Sequence, residues 1–440
     1  MARRGGPVIT SLPPKLRRAC SPVAGIVRDL DECLALPDEP ALFRYAATVG
    51  TEPGSFNDRV NLGSMGGCSP VRPDAAAAAV GEAVERYSAS YVPLSRVHVS
   101  TEADLDGHVV PVAAFEPFAD AQYDDPLFPF VRATPEHVMP WVRGFRIIDG
   151  TSAWLPAELV FLGDLRASIT QPTVYTTSTG TACAETLDDA LVRGLCEVLE
   201  RDAFVLAWMR RATFPRLSVD DHPTLADLHD RLFRRSSLRC TAVDLSSVHG
   251  IPSVLAVVRS SSGAPGAVGV GAGVASSVEE AWRKAVSEAC STRLAGAKLS
   301  LTRPDRDLDA GASVSSFDDH IQFHADPNNA ALSAFLDASP ESRPAHDVVP
   351  LPGSSAADWL DALLGRVDLS GHEAYAVDLT APDVRELGLV VTKVLVPGLC
   401  MLDVSESARF LGPSRLCSWS SPYAVASGST ELNAMPHPFP

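Results

Sequence analysis

The sequence predicts a mixed α/β fold in which sheets are flanked by three helices that share one site. Three observations predict it. Small-residue lead-ins precede Ala-rich amphipathic helix patterns at three places. Two of those helices carry a glutamate pair three residues apart, closed by an arginine. Two strand–turn–strand segments echo one another.

The first unit joins the Gly-rich "NLGSMGGCSP" (residues 61–70), read as a turn, to "AAAAAVGEAVERYSASY", with Glu82, Glu85 and Arg86. The second joins the polar run "YTTSTGTACAET" (175–186) to "LDDALVRGLCEVLERDAFVLAW", with Glu197, Glu200 and Arg201. The third joins the strand-like "GAVGVGAGVA" to "SSVEEAWRKAVSEACSTRLAGAKL", with Glu288 and Arg293. Helix positions three apart share one face, so each pair aims two carboxylates at one point. Like charges at that spacing repel. Four inward carboxylates call for cations, and hard oxygen ligands select magnesium, usually together with a substrate's phosphates. Helix N-termini reached through glycines and hydroxyls attract anions. Together these features read as a magnesium–nucleotide site.

The echo pairs "AVDLSSVHGIPSVLAVV" (242–258) with "AVDLTAPDVRELGLVVTKVLVPG" (376–398), and Asp244 and Asp378 are expected to cap their turns. Residues 101–150 and 301–356 lack sustained periodicity and read as loop-rich insertions. His320 and His324 lie there, in "DDHIQFHADP". With no glutamate at the metalloprotease spacing and no third ligand nearby, they read as a solvated loop or helix end rather than a metal site.

Composition bounds the function. The 440 residues are 46% apolar and 21% charged, ample for a sizeable core. A formal charge of −17 excludes non-specific nucleic-acid and anionic-membrane binding, which call for a basic face. No apolar run reaches the roughly 18 residues of a membrane span, and the basic start has no apolar h-region. The nine cysteines stand singly without a Cys-x-x-Cys spacing, so neither a zinc site nor a disulfide framework is expected, and a reducing cytoplasm fits. Cys196 and Cys290 fall in apolar helix patterns and are expected in the core.

In order along the chain, "SPVAGIVRDL", "GEAVERYSA", "TSTGTACAETLDDALVRGLCEVLERDAFVLAW", "AVSEACSTR" and "VTKVLVPGL" resemble the YcaO superfamily of ATP-dependent peptide-backbone-modifying enzymes. The ending "LNAMPHPFP" places Pro436, Pro438 and Pro440 in a Pro-x-Pro-x-Pro tail, similar to the azoline-forming cyclodehydratase D proteins of thiazole/oxazole-modified peptide biosynthesis. The resemblance implies a YcaO-like fold with pseudo-repeated subdomains: an N-terminal segment over 1–60 and one catalytic domain over 61–440. It implies a Mg2+–ATP cavity lined by Glu82, Glu85, Glu197 and Glu200 as metal-binding residues, with Arg86, Arg201, Glu288, Arg293, Ser178, Glu185 and Asp189 toward the nucleotide. This sequence departs from the family pattern at Ala78 (serine in many relatives), Glu185 and Asp189 (Asn and Glu) and Ser291 (glutamine).

The implied reaction turns Cys, Ser or Thr of a ribosomal precursor peptide into thiazoline or oxazoline by phosphorylating the backbone amide oxygen. The alternatives are thioamide or amidine formation, or a catalytically vestigial scaffold. A leader-binding C protein resembling ubiquitin-activating enzymes is expected as partner, and a flavin azoline dehydrogenase as a later one. Relatives also suggest a homodimer. Alternate prolines favour a stiff polyproline II tail. It is expected to hold the final carboxylate beside the reacting amide, and its deletion is expected to abolish cyclisation while leaving folding intact.

Overall fold

The computed structural model describes all residues except 1–2, 5–8, 35–36, 51–63, 164, 166–170, 307, 309–312 and 425–430. Among the described residues, three sheets carry the fold. The first is antiparallel, in the order β1 (Arg3–Arg4), β2 (Val27–Glu32), β3 (Phe43–Val49), β4 (Ser64–Ser69). The largest has seven strands, taking β5 (Val97–Ser100), β6 (His108–Val109), β7 (Met139–Arg146), β8 (Ser152–Pro156) and β9 (Thr181–Ala184) from the first half of the chain. The third sheet is built from β10 (Arg216–Ser218), β11 (Arg239–Asp244), β12 (Ser253–Arg259), β13 (Val268–Val274) and β14 (Ser342–Pro344). Late in the chain, β15 (Tyr375–Asp378) and β16 (Val390–Leu395) return to the seven-stranded sheet, where β16 lies between β15 and β9.

Each of the three glutamate-bearing helices packs on a strand of its own unit. They are α1 (Arg72–Ser90), α2 (Leu187–Met209) and α3 (Val278–Thr302). Helix α1 lies on β4, α2 on β9 and β16, and α3 on β13. Local chemistry starts them: Thr186 and Ser277 are N-caps whose side chains accept from the amides of Asp189 and Glu280. Small residues let helix and strand backbones close together. A Cβ on Gly271 would sit 2.4 Å from the Ala289 nitrogen, and one on Gly67 would sit 2.0 Å from the Ala75 oxygen.

The echoed segments are indeed alike. Strands β11–β12 and β15–β16 are both antiparallel pairs. Asp244 accepts from the Ser246 amide and Asp378 from the Thr380 amide, each at 2.9 Å, as turn caps do. Cys196 and Cys290 are buried, and all nine cysteines are free thiols.

Three sequence expectations are corrected. The Gly-rich 61–70 segment is not a turn over its described part: Ser64–Ser69 is strand β4, with Gly67 serving α1's approach, while 61–63 lie outside the described residues. Residues 101–150 contain β7, which pairs with β5, β8 and β15 and buries Trp141; its run of buried residues 139–142 has no alternation to betray a strand. The "DDHIQFHADP" segment is helix α4 (Phe317–Ala325), capped by Ser316, and both its histidines are buried rather than solvated. Among the described residues, no helix is long and apolar enough to cross a membrane.

Candidate active site

One contact recurs in all three units. The glutamate of each helix accepts a hydrogen bond from a backbone amide in or just before the strand that leads to it. Glu82 Oε2 accepts from Gly66 at 2.9 Å, Glu197 Oε2 from Gly180 at 3.0 Å, and Glu288 Oε2 from Ala272 at 2.8 Å. Glu200 Oε2 reaches across to the third unit and accepts from Val274 at 3.2 Å. Each carboxylate is thus fixed through one oxygen to a rigid strand, which orients the other.

These groups converge. Arg201 Nη2 stands 3.4 Å from Glu197 and 3.9 Å from both Glu200 and Glu288. Arg86 pairs with Glu82 at 3.5 Å. Burial raises the Glu82 carboxyl, and the Glu197 charge adds to the rise against the pull of Arg86. Burial pushes Glu85 well up, with Arg86 opposing and both Glu197 and Glu82 adding. Glu200 is raised by burial against Arg201, and Glu288 is raised by burial to about 8, with Glu200 and Glu197 adding. The carboxylates are short of positive charge.

A cavity of about 760 Å³ is walled by Glu197, Glu200, Arg201 and Glu288, with Arg283 and Arg44 among its basic residues. Both Ala78 and Ser291, two of the family departures, line it. Among the described residues no three Asp, Glu, His or Cys groups enclose a metal position by themselves. A magnesium ion there would take ligands from phosphate and water as well, as that ion commonly does. The fit of the residues to magnesium–nucleotide rests on this carboxylate surplus and on the Arg201 Nε, which has no hydrogen-bond partner.

The tail reaches the same place. Pro436, His437, Pro438 and Phe439 are buried. Phe439 is fully buried, packs 4.4 Å from the Phe204 ring, and lies beneath the Arg201 guanidinium at 4.3 Å. Arg201 Nη1 stands 3.5 Å from the Pro440 carbonyl oxygen. Removal of the last five residues would therefore strip an aromatic plug from the core, and the expectation that truncation leaves folding intact is corrected.

The other predicted residues have partners of their own. Arg293 is buried in an ion pair with Glu39 and donates to the Gly266 carbonyl at 3.2 Å. Glu185 pairs with Lys15 at 3.1 Å, and Asp189 is engaged with Thr186 at the start of α2. The Ser178 carbonyl accepts from Thr181 at 2.8 Å, forming the bend before β9.

Sequence reasoning passed over Lys393. It is almost fully buried on β16 and donates to the Thr177 and Thr179 carbonyls at 2.6 and 2.7 Å. Burial lowers its ammonium to about 7, while the charges of Glu197 and Glu85 pull the other way. The signal was a lone lysine inside "VVTKVLV", where solvent offers no reason for a charge.

Fold and site together define an α/β protein with a convergent acidic cavity suited to a divalent cation and phosphates. The sequence matches the family described as "YcaO cyclodehydratase, ATP-ad Mg2+-binding" over residues 67–400. The chain belongs to the YcaO family, and its cofactors are ATP and Mg2+. An uncharacterized Methanothermobacter thermautotrophicus protein is 25% identical over 346 residues, 77% of this chain and 82% of that one. A protein encoded in the tfuA 3′ region of Rhizobium leguminosarum bv. trifolii is 31% identical over 136 residues, 29% of this chain and 32% of its own. A heterocyclase solved in complex with substrate and cofactor superposes with a TM-score of 0.79 at 22% identity, covering 100% of this chain and 59% of that one. The Methanopyrus kandleri YcaO bound with AMPPCP and Mg2+ superposes with a TM-score of 0.61 at 18% identity, covering 88% and 90%. At these identities the likeness is one of fold. The chain spans less than two thirds of that heterocyclase and of the Rhizobium relative.

Proposed function

We propose that this protein is the ATP-using component of a peptide cyclodehydratase that makes thiazoline or oxazoline rings from Cys, Ser or Thr. The observation that carries the reading is the meeting of three glutamates and the tail residues Phe439 and Pro440 at one guanidinium, that of Arg201, on the wall of the acidic cavity. The side-chain thiol or hydroxyl adds to the preceding amide carbon, forming the new C–S or C–O bond and passing its proton to a base. The amide oxygen then takes the γ-phosphoryl group of ATP, releasing ADP. Expulsion of phosphate with loss of the amide proton closes the C=N bond.

This chemistry asks for in-line positioning and for positive charge against the transferring group rather than for covalent help. Within the chain, Arg201 and Arg86 supply fixed positive charge, with guanidinium suited to bidentate phosphate contact. The four glutamates Glu82, Glu85, Glu197 and Glu200 would hold the magnesium, which supplies the remaining charge neutralisation. Residues 436–440 act as base or organiser beside the amide. A ribosomal precursor peptide is the substrate. A leader-binding partner resembling ubiquitin-activating enzymes delivers it, a flavin azoline dehydrogenase acts afterwards, and the working unit is a homodimer.

The test is incubation with ATP, Mg2+ and a candidate precursor, with and without the partner, read by mass spectrometry. Loss of one water per ring with matching phosphate release is expected. Thioamide or amidine products, or ATP that stays intact under every condition, would overturn the assignment.

A further inference from the structure

The tail ends in alternate prolines, and proline has no backbone N–H to give. Its carbonyl is the handle that remains: His324 of α4 takes that of Pro436, and His320 faces that of the next residue, His437. His324 Nε2 donates to the Pro436 carbonyl at 2.7 Å, and its Nδ1 has no partner. His320 Nδ1 lies 3.1 Å from the His437 carbonyl, and its Nε2 lies 3.1 Å from the Val404 carbonyl. The His437 ring stacks on His320 at 3.9 Å between centroids, donates through Nε2 to the Asp403 carbonyl at 2.8 Å, and accepts from the Phe439 amide at 3.2 Å. Trp208 of α2 donates to the Met435 carbonyl at 3.1 Å. The loop that receives His320 and His437 is itself fixed: the Cys400 amide donates to Asp202, the buried neighbour of Arg201, at 2.8 Å.

We infer that His320 and His324 are positioning residues: by holding the carbonyls of residues 436 and 437 they set Phe439 and Pro440 against Arg201. The stiffness of the proline run is secondary. A polyproline II segment limits the tail's shape but does not choose where it lies. The imidazoles choose the place, because they are rigid, buried and aimed at the acceptors that a proline-rich strand still offers. The inference deepens the proposed function and rests on its assignment of the tail to the reaction.

The test compares His324→Ala, His320→Ala and His324→Gln by hydrogen exchange and by kinetics on the full chain with its partner and precursor. In the alanine variants, exchange of the Met435 and Phe439 amides should rise at least tenfold while β13 amides stay as slow as before. In those variants kcat for ring formation should fall at least tenfold with KM for ATP unchanged. His324→Gln, whose amide can still donate to the Pro436 carbonyl, should keep most of the rate. Unchanged tail exchange in both alanine variants overturns the inference, as does equal loss in His324→Gln. Should exchange rise with kcat intact, the tail has no part in turnover and the positioning role falls, while ATP-dependent cyclisation by this site still stands. Absence of any cyclisation in the unsubstituted protein instead sinks the proposed function, and the exchange result is then read alone.

Discussion

Substitution Glu288→Gln separates the electrostatics of the cavity from its use. Burial raises the Glu288 carboxyl from 4.5 to about 8, so the folded protein near pH 7 holds a proton there that the unfolded chain has released. That uptake disfavours folding by up to about 3 kcal/mol at 1.36 kcal/mol per unit. The side chain keeps 29% of its exposure, and solvent screening brings a realistic figure down to about 1–2 kcal/mol. Glutamine keeps the shape and an oxygen for the Ala272 amide. The ligand-free variant should therefore melt a few degrees above the unsubstituted protein at pH 7.5 in EDTA. Because the folded value is raised, the native Glu288 penalises stability as pH climbs from 4.5 toward 8, and the gap between variants should close below about pH 5. With Mg2+ and ATP at a hundred times Kd, a bound ligand adds about 2.7 kcal/mol. The variant should gain less, so the order of melting temperatures converges or inverts. Differential scanning fluorimetry across pH, with and without Mg·ATP, reads all of this. A lower melting temperature for the ligand-free variant would refute the reasoning: it would mean that the contact to Arg201 outweighs burial and repulsion.

Four further outcomes follow from the geometry. Phe439→Ala should destabilise the protein by about 3–5 kcal/mol, read by urea denaturation, since it empties a fully buried ring site against Phe204. Burial lowers His324 to about 4, so it folds neutral; stability should fall as pH drops from 6.5 toward 4, and His324→Gln should flatten that slope in pH-dependent melting. Gly271→Ala should abolish soluble expression, because its Cβ would press on the Ala289 backbone at 2.4 Å, whereas Gly81→Ala meets nothing within 4 Å and should stabilise α1 by about 0.5–1 kcal/mol in thermal melts. Lys393→Met removes the donor from two carbonyls, and each buried orphan acceptor costs about 1–3 kcal/mol, so a large loss of melting temperature is expected.

The three-unit layout was legible because its cause is local. Small residues had to precede each helix for strand and helix to touch, and the glutamates had to sit on one face, so both facts stood in the sequence as spacing. Strand β7 was not legible, since Met139–Val142 is buried on both sides and shows no period. Arg293 shows the limit of motif spacing at the site. It lies five residues beyond Glu288, yet its guanidinium turns to Glu39, whose partnership no local pattern encodes.

The same division explains the histidines. In the sequence, His320 and His324 are two imidazoles four apart without a third ligand, which do not make a metal site, and no local pattern gives them another partner. Their partners are carbonyls of residues 436 and 437, more than a hundred positions away, on a segment where every other residue has lost its amide hydrogen to proline. A proline-rich tail that must be held in a core needs donors from elsewhere, and the uncharged side-chain donors are a hydroxyl, an indole, an amide or a neutral imidazole. Trp208, His320 and His324 are of these kinds, and all three donate to the tail or face its carbonyls. The need could be stated from the sequence ending alone, but the residues that meet it are named only by the fold.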